Sequence, residues 1–203
     1  MKSICILDYG LGNVSSLNNA IRKIGYFPDF YSEKKNKNYE IIFIPGVGSF
    51  GKASELINKK KLIDFIKNNY KNNCLIFGIC IGMQLLCSEG NEDGVNKGIN
   101  LIKGKIELVT QKKIKLPIIG WQKVQFINNY LSLKKKYNNE KFYFLHSYAP
   151  KNISVSNQLT ITKYMNIKYI SSIFDKNIIG TQFHPEKSGE IGLEFLKDVI
   201  KNR

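Results

Sequence analysis

Cys74-Leu75-Ile76-Phe77-Gly78-Ile79-Cys80-Ile81-Gly82-Met83-Gln84 is the stretch on which the reading of this chain turns. Cys74 to Ile79 is a short apolar run of the kind that a strand buried on both faces requires. Ile81 to Cys87 reads as a helix leaving that strand directly. The junction, Gly78-x-Cys80-x-Gly82, is the glycine–x–nucleophile–x–glycine pattern of a sharp strand-to-helix turn. Side chains at 78 and 82 would collide with neighbouring backbone, and the residue between them is held in a strained conformation. The following helix aims its N-terminal N–H groups and positive dipole end at the Cys80 sulfur. The Ile81 N–H is placed to donate to an oxyanion formed on a carbonyl that Cys80 attacks. A buried cysteine at a strand end, with ordinary helix-start glycines, would leave the same trace.

Working outward, apolar runs alternate with helical patterns through the first half. Ile4 to Leu7 reads as a strand, and Asn13 to Ile24 as a helix with Val14, Leu17, Ile21 and Ile24 on one side and Gly25 as its stop. Ile41 to Ile44 is a second strand, and Leu56 to Tyr70 a helix presenting Leu62, Phe65 and Ile66. This alternation predicts an α/β architecture with a parallel sheet flanked by helices. The second half is richer in strands: Lys105 to Val109, Gln122 to Phe126, Lys141 to His146, Leu159 to Thr162, Tyr169 to Phe174 and Ile178 to Phe183. Gly189 to Asn202 closes the chain as a helix, and the polar, lysine-rich segment from Asn128 to Glu140 reads as an exposed connection. Neither a repeat nor a linker divides residues 1–203, which are expected to form a single domain.

A cysteine nucleophile needs a base, and the chain has only 2 histidines. His184 follows an apolar strand in Gln182-Phe183-His184-Pro185-Glu186, at the sheet end where α/β enzymes place their sites. Glu186 is placed to accept the second imidazole N–H, fixing the tautomer and stabilising the imidazolium. His146, in Leu145-His146-Ser147-Tyr148, also ends a strand but has no carboxylate just after it, so His184 is the preferred base. Pro45-Gly46-Val47-Gly48 ends another strand. It lacks the lysine and hydroxyl of a phosphate-binding loop, and it reads either as a tight turn or as a second oxyanion donor through the Val47 N–H.

The 203 residues carry a formal net charge of +15, with 43% hydrophobic and 23% charged residues. That composition is globular. The charge invites a nucleic-acid reading, but Arg22 and Arg203 are the only arginines, and the lysines are spread along the chain rather than clustered. A solvated lysine surface is the expectation, with no specific nucleic-acid partner. Cys5, Cys74, Cys80 and Cys87 lack the paired spacing of a zinc or redox motif, so neither metal nor cofactor is expected. No apolar run approaches the roughly 20 residues of a membrane span, and no signal peptide is visible, so the expected location is cytoplasmic.

These motifs together resemble the class I (triad) glutamine amidotransferases, most closely the branch of glutaminase subunits of imidazole glycerol phosphate synthase. In order, they are Asp8-Tyr9-Gly10-Leu11-Gly12-Asn13, Pro45-Gly46-Val47-Gly48-Ser49-Phe50, Gly78 to Gln84, Gly120-Trp121, His146-Ser147-Tyr148 and Gln182 to Ser188. The resemblance implies a flavodoxin-like fold, with a mostly parallel central sheet and extra antiparallel strands in the second half. It implies a Cys80-His184-Glu186 triad acting on glutamine through a glutamyl thioester, with Val47 and Ile81 as oxyanion donors and Gly48 and Gln84 holding the substrate. It further implies a (β/α)8-barrel cyclase partner that receives the ammonia and makes imidazole glycerol phosphate and aminoimidazole carboxamide ribotide. Asn13, Trp121, Tyr143 and Lys187 would face that partner.

One departure stands out. Pro117-Ile118-Ile119-Gly120-Trp121-Gln122 occupies the place where the family usually has Pro-His-x-Gly-Trp-Asn, in a stretch that the resemblance sets against the partner. Paralogous glutaminases that feed an amidotransferase modifying surface sugars are the nearest alternative. A non-catalytic regulatory subunit retaining the fold is the alternative of another class.

Overall fold

The computed structural model describes residues 2–32, 38–109, 114–128 and 131–203. Its elements run β1 (Ile4–Ile6), α1 (Val14–Lys23), β2 (Asp29–Phe30), β3 (Ile41–Ile44), α2 (Phe50–Lys59), α3 (Leu62–Lys71), β4 (Leu75–Ile79) and α4 (Ile81–Leu85). They continue with β5 (Glu89–Gly90), β6 (Asn96–Lys97), β7 (Lys105–Leu108), β8 (Ile118–Phe126), α5 (Leu131–Tyr137), β9 (Lys141–His146), β10 (Tyr148–Lys151), β11 (Gln158–Tyr164), β12 (Ile167–Asp175), β13 (Ile178–Thr181) and α6 (Gly189–Lys201).

The central sheet has the order β2-β1-β3-β4-β13-β12-β11-β8-β9. Its first five strands are parallel, in the flavodoxin-like doubly wound arrangement. The last four are joined antiparallel and extend the sheet. β1, β3, β4 and β13 are buried throughout, because helices cover both faces of a parallel sheet and leave no place for polar residues. A second sheet, β10-β7-β5-β6, lies beside the first; nothing in the sequence pattern announced its two-residue strands.

β8 begins at Ile118, four residues before the expected start at Gln122, and two helical segments also differ from expectation. The helix expected over 56–70 is two helices, broken at Lys61, whose φ of 52° cannot continue a right-handed helix. The first of them starts earlier, where the Ser49 side chain accepts the Lys52 N–H as an N-cap. The connection expected over 128–140 contains α5, although residues 129 and 130 lie outside the described residues. Leu133 and Tyr137, four apart, share a helix face and are fully buried. The Tyr137 ring packs edge-on to Phe195 of α6 at 5.2 Å, and its hydroxyl donates to Asp198 at 2.6 Å. Three consecutive lysines hid an apolar stripe of two residues.

The chain crossings that matter for the site are backbone-close. A Cβ on Gly82 would fall inside the Ile44 carbonyl at the end of β3, and one on Gly78 would lie 2.5 Å from the Gly82 oxygen. The start of α4 therefore rests directly on the ends of β3 and β4. That contact brings the Pro45–Gly48 turn and Cys80 side by side.

Candidate active site

Cys80 occupies the turn between β4 and α4 at φ 54°, ψ −112°, a region that costs a non-glycine residue about 1–3 kcal/mol. Its backbone N–H donates to the Thr181 carbonyl at 2.7 Å, tying the elbow to the end of β13. The thiol points to the Leu145 carbonyl at 3.8 Å, and the Gln182 side-chain Nε2 donates to the sulfur at 3.5 Å. Three chain segments thus meet on one sulfur that is buried.

His184 is fixed by its main chain. Its N–H donates to the Tyr143 carbonyl at 2.8 Å, and its carbonyl accepts from the Ser188 hydroxyl at 2.6 Å. Nδ1 meets Glu186 Oε1 at 2.8 Å. A carboxylate only accepts, so Nδ1 carries the proton and Nε2 is turned to the Cys80 side. Nε2 is buried and makes no full hydrogen bond. Burial opposes the charged imidazole, but the Cys80 sulfur and then the Glu186 carboxylate outweigh it and raise the histidine to about 10. The arrangement is a thiol, a proton carrier and a carboxylate that orients the carrier.

Val47, Gly48, Cys80, Ile81, Gln84, Glu92, Pro117 and Leu145 to Tyr148 line one cavity of about 190 Å³ at this sulfur. The expected oxyanion donors and both expected substrate-holding residues face it. Ile81 is the first residue of α4, so its N–H has no partner within the helix. Gln84 is 1% exposed; its Nε2 donates to the Tyr148 carbonyl and to Gln182 Oε1, both at 3.1 Å, while its Oε1 has no partner.

Three neighbours of the site were not singled out by sequence reading. Glu92, the one carboxylate lining the cavity among the described residues, lies in a loop with no recognisable pattern; its Oε2 accepts the Phe50 N–H at 2.8 Å. Gln182 precedes His184 by two, and strand alternation, had it been applied there, would have set both on one side. The Tyr9 hydroxyl is buried without a partner beside Gly46; burial and then the charge of Cys80 raise it well above its ordinary range.

The competing histidine is a different kind of group. His146 Nδ1 meets the Tyr148 carbonyl at 2.9 Å, which can only accept, so Nδ1 holds the proton of a neutral ring. Burial lowers it to about 4; the Tyr148 bond opposes that fall and His184 adds to it. Such a ring is a poor proton acceptor at neutral pH, whereas the His184 ring has a carboxylate behind it. It also has a consequence for stability. The folded value lies below the ordinary 6.5, so the stabilisation from a neutral His146 is complete above about pH 6.5 and is lost as pH falls towards 4. The loss reaches about 3 kcal/mol there. Urea unfolding between pH 7 and 4 should show a shallower decline for His146→Phe than for the wild type; equal declines would contradict it.

The residues expected at a partner face are less uniform. Trp121 is half exposed and lies edge-on to Tyr143, its cross-strand partner, with ring centroids 6.4 Å apart. Its ring reaches Gly189, just past the turn that carries Lys187. Neither aromatic is a core residue. Asn13 is exposed, but its side chain caps α1 by accepting the Ser16 N–H at 3.0 Å. The Ile118 departure does not face outward: Ile118 is fully buried and sits opposite His146 in the β8–β9 register, whereas its neighbour Ile119 is exposed. A nine-residue strand turns alternate side chains inward, so at Ile118 this departure lies in the interior, across from His146.

A buried cysteine at a strand-to-helix elbow thus lies beside a carboxylate-held histidine just past the neighbouring parallel strand, the arrangement expected of a triad amidotransferase. The family model for glutamine amidotransferase class-I matches residues 5–202. Solved structures agree in fold: one described as PurLQS from Thermotoga maritima superposes with a TM-score of 0.78 at 21% identity over 100% of both chains. Another, a glutamine amidotransferase, gives 0.75 at 11% identity over 98% of this chain and 99% of that one. The imidazole glycerol phosphate synthase subunit HisH of Sulfolobus acidocaldarius is 37% identical over 97% of this chain and 96% of its own length. That of Bacillus subtilis is 35% identical over 98% and 95%. The chain belongs to the class I glutamine amidotransferases and, within them, to the HisH family.

Proposed function

We infer that this chain is the glutaminase subunit of an imidazole glycerol phosphate synthase, working in histidine biosynthesis in the cytoplasm. The reading rests on Cys80 lining the cavity, with the bonded His184–Glu186 pair beside its sulfur and outside the lining, in a chain matching HisH subunits over nearly its whole length. Glutamine enters beside Cys80, its side-chain amide carbon against Sγ. The sulfur attacks with its proton already held on His184 Nε2, and the carbonyl oxygen becomes an oxyanion received by the Val47 and Ile81 N–H groups. His184 returns that proton to the leaving nitrogen, ammonia departs, and a γ-glutamyl thioester remains. Water then attacks the thioester with His184 again as base, giving glutamate and the free thiol.

Substrate holding follows from the lining. The unpartnered Gln84 Oε1 accepts an N–H of the substrate, and Gly48 presents backbone without a side chain in the way. An amino acid also brings an α-ammonium, for which Glu92 is the available anion in the cavity. Glu92→Gln keeps an oxygen for the Phe50 N–H but loses the charge, so KM for glutamine should rise roughly tenfold or more with kcat little changed. Steady-state kinetics of glutamate release checks this, and an unchanged KM would remove Glu92 from the substrate site.

Ammonia is passed to a (β/α)8-barrel cyclase subunit docked over Trp121, Tyr143 and Lys187, with Asn13 at the edge of that surface. The deciding experiment mixes this chain with the cyclase subunit of the same genome and measures glutamate release with and without the ribotide substrate. Strong stimulation by the ribotide is the expected result. No stimulation, with a cyclase competent on free ammonia, would move the acceptor to a sugar. Glutamine left intact under every condition would point to a non-catalytic subunit.

A further inference from the structure

The side-chain amides beside Cys80 form a chain whose polarity has only one solution. The Tyr148 carbonyl can only accept, so the Gln84 group 3.1 Å from it is the NH2. The same NH2 lies 3.1 Å from the Gln182 side chain, which must answer with its oxygen. The remaining end of Gln182, its own NH2, is thereby turned to the Cys80 sulfur at 3.5 Å. Both glutamines are buried at 1% exposure or less, so water does not compete for these groups. The Gln182 backbone is held separately, its N–H donating to the Ser171 carbonyl at 2.9 Å.

We propose that Gln182 is a positioning residue for the nucleophile: its amide N–H holds the Cys80 sulfur in place, and Gln84 fixes the direction of that amide. The Leu145 carbonyl can interact only with the thiol proton, and that contact ends when the proton leaves for His184. The Gln182 N–H is a donor, and its bond to sulfur strengthens as the sulfur takes on negative charge. Gln84 joins the two ends of the site. Its free Oε1 faces the substrate while its NH2 orders Gln182, so an occupied Gln84 favours a held sulfur. The role assigned to Gln84 rests on the glutaminase reading; the hold on the sulfur does not.

The test reads the thiol directly. Alkylation of Cys80 by iodoacetamide is followed across pH in the wild type, Gln182→Glu and Gln182→Met, with Cys80→Ser defining the background. Gln182→Glu is the informative variant, because it keeps the shape and an oxygen for Gln84 while replacing the donor at the sulfur. Cys80 alkylation near neutral pH should slow by roughly tenfold or more, with the profile displaced to higher pH. With the cyclase partner present, kcat should fall with little change in KM. Folded variants with wild-type alkylation profiles would overturn the proposal, whatever the outcome for glutamine. If glutamine proves not to be the substrate but the profile still shifts, only the functional reading fails. Should both variants fail to fold, the Gln182 side-chain amide resonances of the intact protein decide. They should move on alkylation of Cys80, and unmoved resonances would overturn the proposal.

Discussion

Cys80→Ala is expected to remove glutamate release by at least about 10⁴-fold while leaving the fold and the partner's ammonia-dependent reaction in place. The sulfur is the only atom at the site that can form the thioester. Without it His184 has nothing to activate except water, which lacks a fixed position. The fold should tolerate the change, because the thiol makes only weak contacts, 3.8 Å to Leu145 and 3.5 Å from Gln182. The strained backbone at φ 54° accepts alanine no worse than cysteine. Glutaminase assays with the cyclase partner, alongside a thermal melt, separate the two effects. Retained glutamate release from a folded Cys80→Ala protein would end the triad mechanism for this chain.

Gly82→Ala has the largest expected effect on stability. The added methyl would occupy the space of the Ile44 carbonyl oxygen. Backbone on both sides leaves no flexible side chain to move aside. The start of α4 must lift off β3, and the close packing of elbow and oxyanion turn goes with it. A loss above about 4 kcal/mol is expected, enough to unfold a domain of ordinary stability. Gly94→Ala is the control: its φ of 89° is also unfavourable, but nothing lies within 4 Å of the added carbon. It should cost about 1–2 kcal/mol. Urea melts of both variants decide the matter; equal losses would show that the conformation, and not the collision, sets the cost.

How much was legible depended on the range over which a signal acts. The elbow was readable because glycine, cysteine and glycine act within five residues of one another. His184 and Glu186 were readable for the same reason, two positions apart. The parallel strands were readable because burial on both faces leaves unbroken apolar runs such as Ile41 to Ile44. Glu92 was not, since its place in the cavity depends on the fold of a loop between two-residue strands. α5 was hidden because its buried apolar residues Leu133 and Tyr137 are separated by Lys134, Lys135 and Lys136. The outward reading of Ile118 failed on strand length: once β8 is known to begin at 118, alternation turns that side chain in and Trp121 out.

β9 is the last strand of the central sheet, and a terminal strand carries a free row of backbone donors and acceptors. At Tyr143 that row is already occupied: the carbonyl receives His184 N–H and the amide gives to Ser188 Oγ. The 184–188 turn is therefore a cover on an exposed sheet edge as well as the carrier of the triad. Displacing it uncovers a strand end able to pair with another chain. Damage to this turn should register as self-association as well as lost turnover, so selection for solubility and selection for catalysis act on the same five residues.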